Sequence, residues 1–374
     1  MKTINPAVGP EPAWSVNSGL PRASQSPGPP EVWDILRDCG AEGLIFHHPG
    51  WLKLIEDCYG LVPRHLVTSA PGGAGLLTLF ETASPLLGRK LTSQPFNFYG
   101  GLIGSSDEAK AALLGQAAHL WRTGRAKYVE IKNTRPLNPE LVAEFGLIER
   151  SKFVRYVVAL DQDFARVEQG LKRRFREKLT RLRRAATAAG VIVEAVAAPG
   201  EQELWPFYDL LTEEYRRKHL MLVQPFKLFR AVAGALPANL ILVLARRGGR
   251  VLGGAVVLRF GGTDFYLWGA YDLKQEELSP LTLVLAEAMR RAGEAGSHSF
   301  DLGLTSRSHE GLNFFKSRWG GVCEPLHYYY LARHPAAVPD LEYFNSYRPL
   351  RRLIRPVPRR VIQWVSPLVI RWLA

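Results

Sequence analysis

The chain repeats itself once, and that repeat limits the folds open to it. In the first half, HLVTSAPGGAGLLTLFE reads as a strand, a Gly-Gly turn and a second strand. KLTSQPFNFYGG follows as a third strand, then a helix-like DEAKAALLGQAAHLWRTG and the strand KYVEIK. In the second half, LILVLARRGGRVLGGAVVLRF gives the same hairpin, TDFYLWGAY the third strand, SPLTLVLAEAMRRAGEAG the helix and SFDLGL the last strand. An aromatic-glycine pair closes the third strand each time, Tyr99-Gly100 and Trp268-Gly269. The second helix shows apolar residues at helical spacing (Leu281, Leu283, Val284, Ala288) behind Ser279-Pro280, an expected N-cap and first-turn pair. A unit of hairpin, strand, helix and strand, used twice, is an α/β fold in two tandem domains rather than a short-period solenoid.

The 374 residues are long for one core and comfortable for two. We expect residues 1–30, rich in Pro, Ser and Gly and lacking the apolar core of a secretory signal, to be disordered. The first domain then spans 31–160, ending after the strand FVRYVVAL. The second spans 161–335 and opens on a basic helix at 163–190, and a tail covers 336–374. Three cysteines without metal or disulfide spacing point to reduced thiols in the cytoplasm. No apolar run approaches the roughly 20 residues of a membrane span.

Charge is unevenly placed. The net +13 from 48 basic and 35 acidic residues suits a phosphate-bearing or anionic partner. In the basic helix, Leu171, Phe175, Leu179, Leu182 and Ala186 form one inward stripe. The other faces carry Lys172, Arg173, Arg174, Arg176, Lys178, Arg181, Arg183 and Arg184 against a single acid, Glu177. That surface is either a solvated helix face or a tracker of RNA phosphates. From Tyr343 the tail holds seven arginines and no acid, interleaved with Trp364, Leu368 and Trp372. This composition suits an element lying on an anionic membrane surface, the alternative being a helix docked on the protein itself.

Motifs for nucleotide phosphates, a nucleophile elbow and zinc proteases are absent, and no histidine spacing suggests a metal. Arg250 to Ala255 matches the R-x-x-G-x-G/A string with which acetyltransferases of the GNAT superfamily hold coenzyme A. Here it leaves a hairpin and enters a strand, where its amides belong to the sheet. The glycines of FYGGLIGSS, 98–106, lead into a helix and are a better phosphate candidate. In the second half, FDLGL ends at the polar loop containing Arg307, Ser308 and His309. The short helix that follows carries Lys316 between Phe314-Phe315 and Trp319. Strand ends of this kind are where α/β sheets place ligands. Lys316 is the candidate charge there and His309 the default general base.

The pattern Phe300, Asp301, Gly303, Arg307, Ser308, Gly311, Phe315, Lys316, Trp319, Gly320 resembles the C-terminal signature of the Fem-type transferases. It is also similar to that of their relatives among acetyltransferases of the cellulose-biosynthesis type. FHHPGW, SPLLGRKLTSQPFNFYGG and YVEIK of the first half, and the central LKRRFREKLTRLRRAATAAGV, are similar too, so the resemblance spans roughly 42–335. It implies two tandem GNAT-like acyltransferase domains of mixed sheet flanked by helices. Fem enzymes move an aminoacyl group from charged tRNA to an amine of a peptidoglycan precursor, and their relatives move other acyl groups, some from acyl-coenzyme A. The family lysine implies a role in transfer for Lys316. The arginine that directly follows the family's F-D-F-G is Leu304 here.

These readings lead to an acyl- or aminoacyl-transferase acting on an amine of a cell-envelope or exopolysaccharide precursor, cytoplasmic or peripheral on the inner membrane face. Lys316, His309 and Asp301 are its expected catalytic groups. Arg307, Ser308, Tyr99, Gly100, Gly101, Trp268 and Tyr271 are expected to bind substrate. The donor is acyl-coenzyme A or aminoacyl-tRNA, the tRNA held through Lys172–Arg184, and no metal is expected. The rivals are a tRNA-dependent interpeptide-bridge transferase and a catalytically silent RNA- or lipid-binding module.

Overall fold

The computed structural model describes residues 29–70, 72–84, 88–96, 98–338 and 352–373. The expectation for the first 28 residues, and that for 339–351, lie outside them. The first half contains α1 (Pro29–Asp38), α2 (Pro49–Tyr59), β1 (Val62–Pro63), β2 (Leu66–Ala70), β3 (Gly73–Leu77) and β4 (Phe80–Ser84). It continues with β5 (Gly88–Thr92), β6 (Leu102–Gly104), α3 (Asp107–Thr123), β7 (Tyr128–Asn133), α4 (Pro139–Glu144) and β8 (Ile148–Ala159). The second half has α5 (Phe164–Gln169), α6 (Arg173–Ala188), β9 (Ile192–Ala197), α7 (Glu201–Glu214), α8 (Phe226–Ala235), β10 (Leu240–Arg247) and β11 (Arg250–Phe260). There follow β12 (Thr263–Tyr271), α9 (Pro280–Glu294), β13 (Ser299–Ser306), α10 (Glu310–Ser317), β14 (Val322–Ala332) and α11 (Arg359–Ile370).

An eleven-stranded mixed sheet runs through both halves in the order β1-β4-β5-β7-β14-β8-β13-β12-β11-β10-β9, and β2-β3-β6 form a separate sheet. β8 and β14 join the halves: β14 pairs with β7 of the first and with β8, and β8 pairs with β13 of the second. One core reaches across the join, with Phe46 and Trp51 from the first half packing into the same cluster as Phe229, Phe265 and Trp268. A second core lies between α6, α9 and the strands β10 to β13, and a third between α3 and β5, β7.

Three local expectations change. The stripe Leu171, Phe175, Leu179, Leu182, Ala186 is buried throughout, but the basic segment is two helices, α5 and α6, broken at Gly170–Lys172. Ser279 caps nothing: it sits at φ +43°, and its hydroxyl turns back to the Glu276 carbonyl. Tyr99-Gly100 does not close a strand. The chain leaves the large sheet after Thr92, passes through Phe96 (φ +61°) and Gly100 (φ +125°), and enters the smaller sheet at β6.

The tail docks on the protein. Ile362, Ser366 and Ile370 of α11 are buried, Arg359 pairs with Asp209 at 2.8 Å, and Gln363 donates to Asp209 at 3.2 Å. Among the described residues no helix is long and apolar enough to cross a membrane.

Candidate functional site

The sheet splits where two bulges meet. β12 and β13 run parallel for three residue pairs, Thr263 to Phe265 against Ser299 to Asp301. Just beyond, β12 slips register against β11, leaving Leu267 over, and β13 slips against β8 between Asp301 and Leu304. A bulge bends its strand and increases the local twist. The strands therefore part, and a wedge opens toward their carboxyl ends. Gly303 makes the turn at φ +75°, and an added Cβ there would stand 3.1 Å from the Tyr266 carbonyl.

Lys316 holds the bulge. Trp319, fully buried against Phe175 at 5.0 Å between ring centres, fixes α10 on the second core. This directs Lys316, only 4% exposed, back under β13. Its Nζ donates to the carbonyls of Gly303 (2.8 Å) and Leu304 (3.0 Å), using two of three N–H groups. Burial pulls its pKa down to about 7, and only Asp301 opposes the shift. Asp301 is itself committed: one oxygen accepts the Gly303 amide at 2.8 Å and the other meets Arg155 at 3.0 Å. Arg155 continues to Glu324 at 2.7 Å and lies 6.0 Å from the ring centre of Tyr99. Burial raises the Tyr99 pKa and Asp301 raises it further, so this phenol stays protonated. Asp301 and Tyr99 thus join one buried chain that leads from the first half to Lys316.

The remaining expected residues do not all converge there. His309 is exposed and serves as N-cap of α10, its Nδ1 accepting the Leu312 amide at 3.2 Å. Arg307 ties the loop to β8 through the Ser151 carbonyl at 2.8 Å, and Ser308 bonds Ser306 at 2.9 Å. Trp268 is a core residue packed on Phe98 and Phe229. Gly100 and Gly101 line a separate small cleft in the first half, with Glu42, His47, Lys110, Asn133 and Arg135 on its walls. The serines that end that stretch hold the local fold, with Ser105 accepting the Ala74 amide and Ser106 capping α3.

Tyr271 ends β12 in a cluster that sequence reasoning missed. α7 ends in a π-helical turn, Tyr215–His219, closed by Leu220 at φ +53°. Such turns and left-handed non-glycine residues recur at functional sites. Glu214, 3% exposed, accepts the Tyr271 amide at 2.8 Å with one oxygen, and so stands where a neighbouring strand would. Its other oxygen lies 3.3 Å from Lys218 Nζ and 3.4 Å from His219 Nε2. Lys218 also donates to the Tyr271 hydroxyl at 3.1 Å and sits over its ring. Tyr266 completes the group, its pKa raised by burial and by Glu214 and Tyr215. In sequence EEYRRKH reads as an ordinary charged surface.

The residues at the β12–α9 turn do not fit the pyrophosphate of coenzyme A. Asp272, Glu276 and Glu277 make it acidic. The amides of Lys274, Gln275 and Ser279 are taken by Asp272 or Glu276, and Pro280 has none. Arg250 to Ala255 lie in β11, where Gly253 to Ala255 are paired on both sides and Arg250 and Val251 with β10. Cations stand elsewhere: Lys178 on α6 is lowered by burial and by Arg318 and Arg181, and Arg318 lies 5.2 Å from the ring centre of Phe314, which is 65% exposed. Among the described residues no group of three or more His, Cys, Asp or Glu is placed to hold a metal.

Residues 173–317 match the family described as an acetyltransferase (GNAT) domain. No curated protein sequence matches the chain. Among solved structures, FemX is similar at TM-score 0.65 and 15% identity over 86% of this chain and 98% of that one. The C-terminal domain of a putative lysylphosphatidylglycerol synthetase from Agrobacterium fabrum is similar at 0.54 and 15%, over 82% and 92%. L-PGS from Bacillus licheniformis is similar at 0.54 and 13%, over 88% and 97%. The chain has the GNAT/Fem-like fold of two tandem α/β units, and the family match falls within the second unit, which holds the split sheet and Lys316.

Proposed function

We propose that the protein is an N-acyltransferase working in the β12–β13 wedge on an amine of a cell-envelope or exopolysaccharide precursor. One observation carries this: a buried lysine, with one N–H left over, stands at the split of the sheet in the GNAT-matched unit. The neutral amine attacks the ester or thioester carbonyl, forming the C–N bond. Lys316 meets the charge that gathers on the carbonyl oxygen. Glu214 takes the proton the amine sheds, and the C–O or C–S bond breaks as the leaving group is protonated. Asp301 and Arg155 position Lys316 and the bulge.

Aminoacyl-tRNA is the donor that the turn chemistry favours, since the acidic β12–α9 turn suits no pyrophosphate and the α6 cations suit RNA. The GNAT match favours acyl-coenzyme A as the second reading. The test supplies labelled acetyl-coenzyme A or charged tRNA with envelope extract as acceptor. Consumption of one donor, lost in Lys316→Met, is the expected result. Activity within twofold of wild type in that variant would remove Lys316 from the chemistry. Consumption of neither donor would remove the transferase.

A further inference from the structure

We infer that the outer face of α11 is a docking surface for an anionic lipid bilayer, and that it seats the protein with the wedge beside the membrane. The proposal stands whether or not the acyl-transfer reading does.

The helix has two opposed apolar stripes. Ile362, Ser366 and Ile370, at i, i+4 and i+8, face α7 and are buried. Val361, Trp364, Leu368 and Trp372 share the opposite face and are 43%, 72%, 51% and 39% exposed, with Leu353 just before them at 66%. A helix docked for its own stability needs only the first stripe. A second one, with two tryptophans, loses free energy in water unless something covers it.

Charge decides the occupant. Residues 352–373 contain five arginines and no acid. Arg359 is held by Asp209, while Arg371 lies 5.4 Å from the ring centre of Trp372. Tryptophan, leucine and arginine on one face, without acid, suit the depth profile of a bilayer rim: indoles at the headgroups, aliphatics just below and guanidinium groups on lipid phosphates. A protein partner would leave these like charges to be matched one by one.

The attachment is rigid and near the site. The 3-10 turn after α11 packs beside β4 of the first half, and α11 itself packs on α7 of the second. Arg216, in the π-turn next to Glu214, donates to the carbonyls of Arg355 and Val357. Tail, π-turn and wedge are therefore connected side by side.

The test is co-sedimentation of the full chain with vesicles of phosphatidylcholine containing about one third phosphatidylglycerol. Wild type pellets with these and weakly with phosphatidylcholine alone. The double variant Trp364→Glu, Leu368→Glu changes only exposed side chains, so it keeps its melting temperature, and its partitioning falls about tenfold or more. Wild type left in the supernatant would overturn the proposal, as would a variant that pellets like wild type, for then α6 and net charge do the binding. Concentration-dependent dimerisation lost in the variant, without vesicle binding, would overturn it in favour of a second copy of this chain.

Discussion

The molecule splits its sheet twice, and the two gaps are built to opposite ends. In the first half β5 and β7 pair in parallel only at Leu91–Val129 and Thr92–Glu130 before parting, much as β12 and β13 do after Phe265–Asp301. A buried lysine holds backbone carbonyls beside each gap: Lys132 those of Gln94 (2.7 Å) and Phe96 (3.1 Å), Lys316 those of Gly303 and Leu304. In the first gap the chain fills the space it opens. Gln94 is fully buried, donates to the Phe46 carbonyl at 2.8 Å and accepts from the Trp51 indole at 3.3 Å. Lys132 also has its own counterion, Glu130 at 3.4 Å, which Thr92 and Tyr330 hold at 2.8 and 2.9 Å. The second gap instead has its freed strand edge met by a carboxylate, Glu214, on the Tyr271 amide. Its lysine has no carboxylate in contact, because Asp301 is spent on Arg155 and the Gly303 amide. A carboxylate, two tyrosines and a second lysine line its other side. On the proposed function, the first gap is structural and the second is where transfer takes place.

Matched substitutions should separate them. Lys132→Met takes the nearer of two lysines from buried Glu130, leaving only Lys90 at 3.9 Å, so stability falls by about 3 kcal/mol in denaturant unfolding. Lys316→Met strands no bonded carboxylate, so the folded protein persists while transfer falls about 10²–10³-fold. If the two variants traded places, losing fold at Lys316 and activity at Lys132, the contrast would be wrong.

Acid should act on the first gap. Burial alone would raise the Glu130 pKa, but Lys132 and Lys90 outweigh it and pull it down to about 2 from an ordinary 4.5. A lowered carboxyl pKa contributes stability that is complete above the ordinary value and is lost as pH falls toward the folded one. That window runs from about 4.5 down to about 2 and amounts to about 3 kcal/mol. Melting curves of wild type should lose about 2 kcal/mol more between pH 6 and pH 3 than those of Glu130→Gln. Equal pH slopes would show that the network does not hold the charge.

In the second gap, Glu214→Gln keeps an acceptor for the Tyr271 amide but cannot take a proton. Transfer should drop about 10²-fold at neutral pH and recover in part as pH rises and the acceptor amine deprotonates itself. A loss of rate unchanged across pH would make Glu214 a strut for β12 alone.

Much of this was legible in the chain. The duplication led to the tandem fold, and the α6 stripe is buried at all five expected positions. Lys316 sits at the strand end where ligands collect. The wedge was not legible, because it comes from two register slips, and no spacing in TDFYLWGAY or SFDLGL marks a bulge. Tyr99-Gly100 looked like its counterpart Trp268-Gly269 by composition, yet backbone conformation, not residue type, took it out of the sheet. Glu214 was hidden because a carboxylate among arginines is usually solvent-facing, and only tertiary contact with Tyr271 turns it inward. His309 was chosen as the one imidazole of its loop, and the cap it makes before an eight-residue helix is visible only in the structure. The tail was read as membrane-facing or docked. Its inner face is docked, and Val361, Trp364 and Leu368 on its outer face are exposed.

The smallest expected effect tests whether the second gap also stores strain. Ser279 enters α9 at φ +43° with no capping bond, in the turn that follows β12. Serine pays for that conformation and glycine does not. Ser279→Gly removes only an exposed hydroxyl bond to the Glu276 carbonyl at 3.3 Å, so it should stabilise the protein by about 0.5–1 kcal/mol. If the strain is incidental, transfer is unchanged. If the left-handed turn sets how far β12 stands from β13, the stabilised variant transfers more slowly, because the relaxed turn no longer holds the strands apart. Nothing comparable is expected at Phe96, the left-handed residue of the first gap. Phe96→Gly loses the ring contact with Tyr59 at 4.4 Å and should destabilise without touching the rate. A gain in stability with a loss of rate at Ser279, beside a plain loss of stability at Phe96, would mark the second gap as the one held under tension for function.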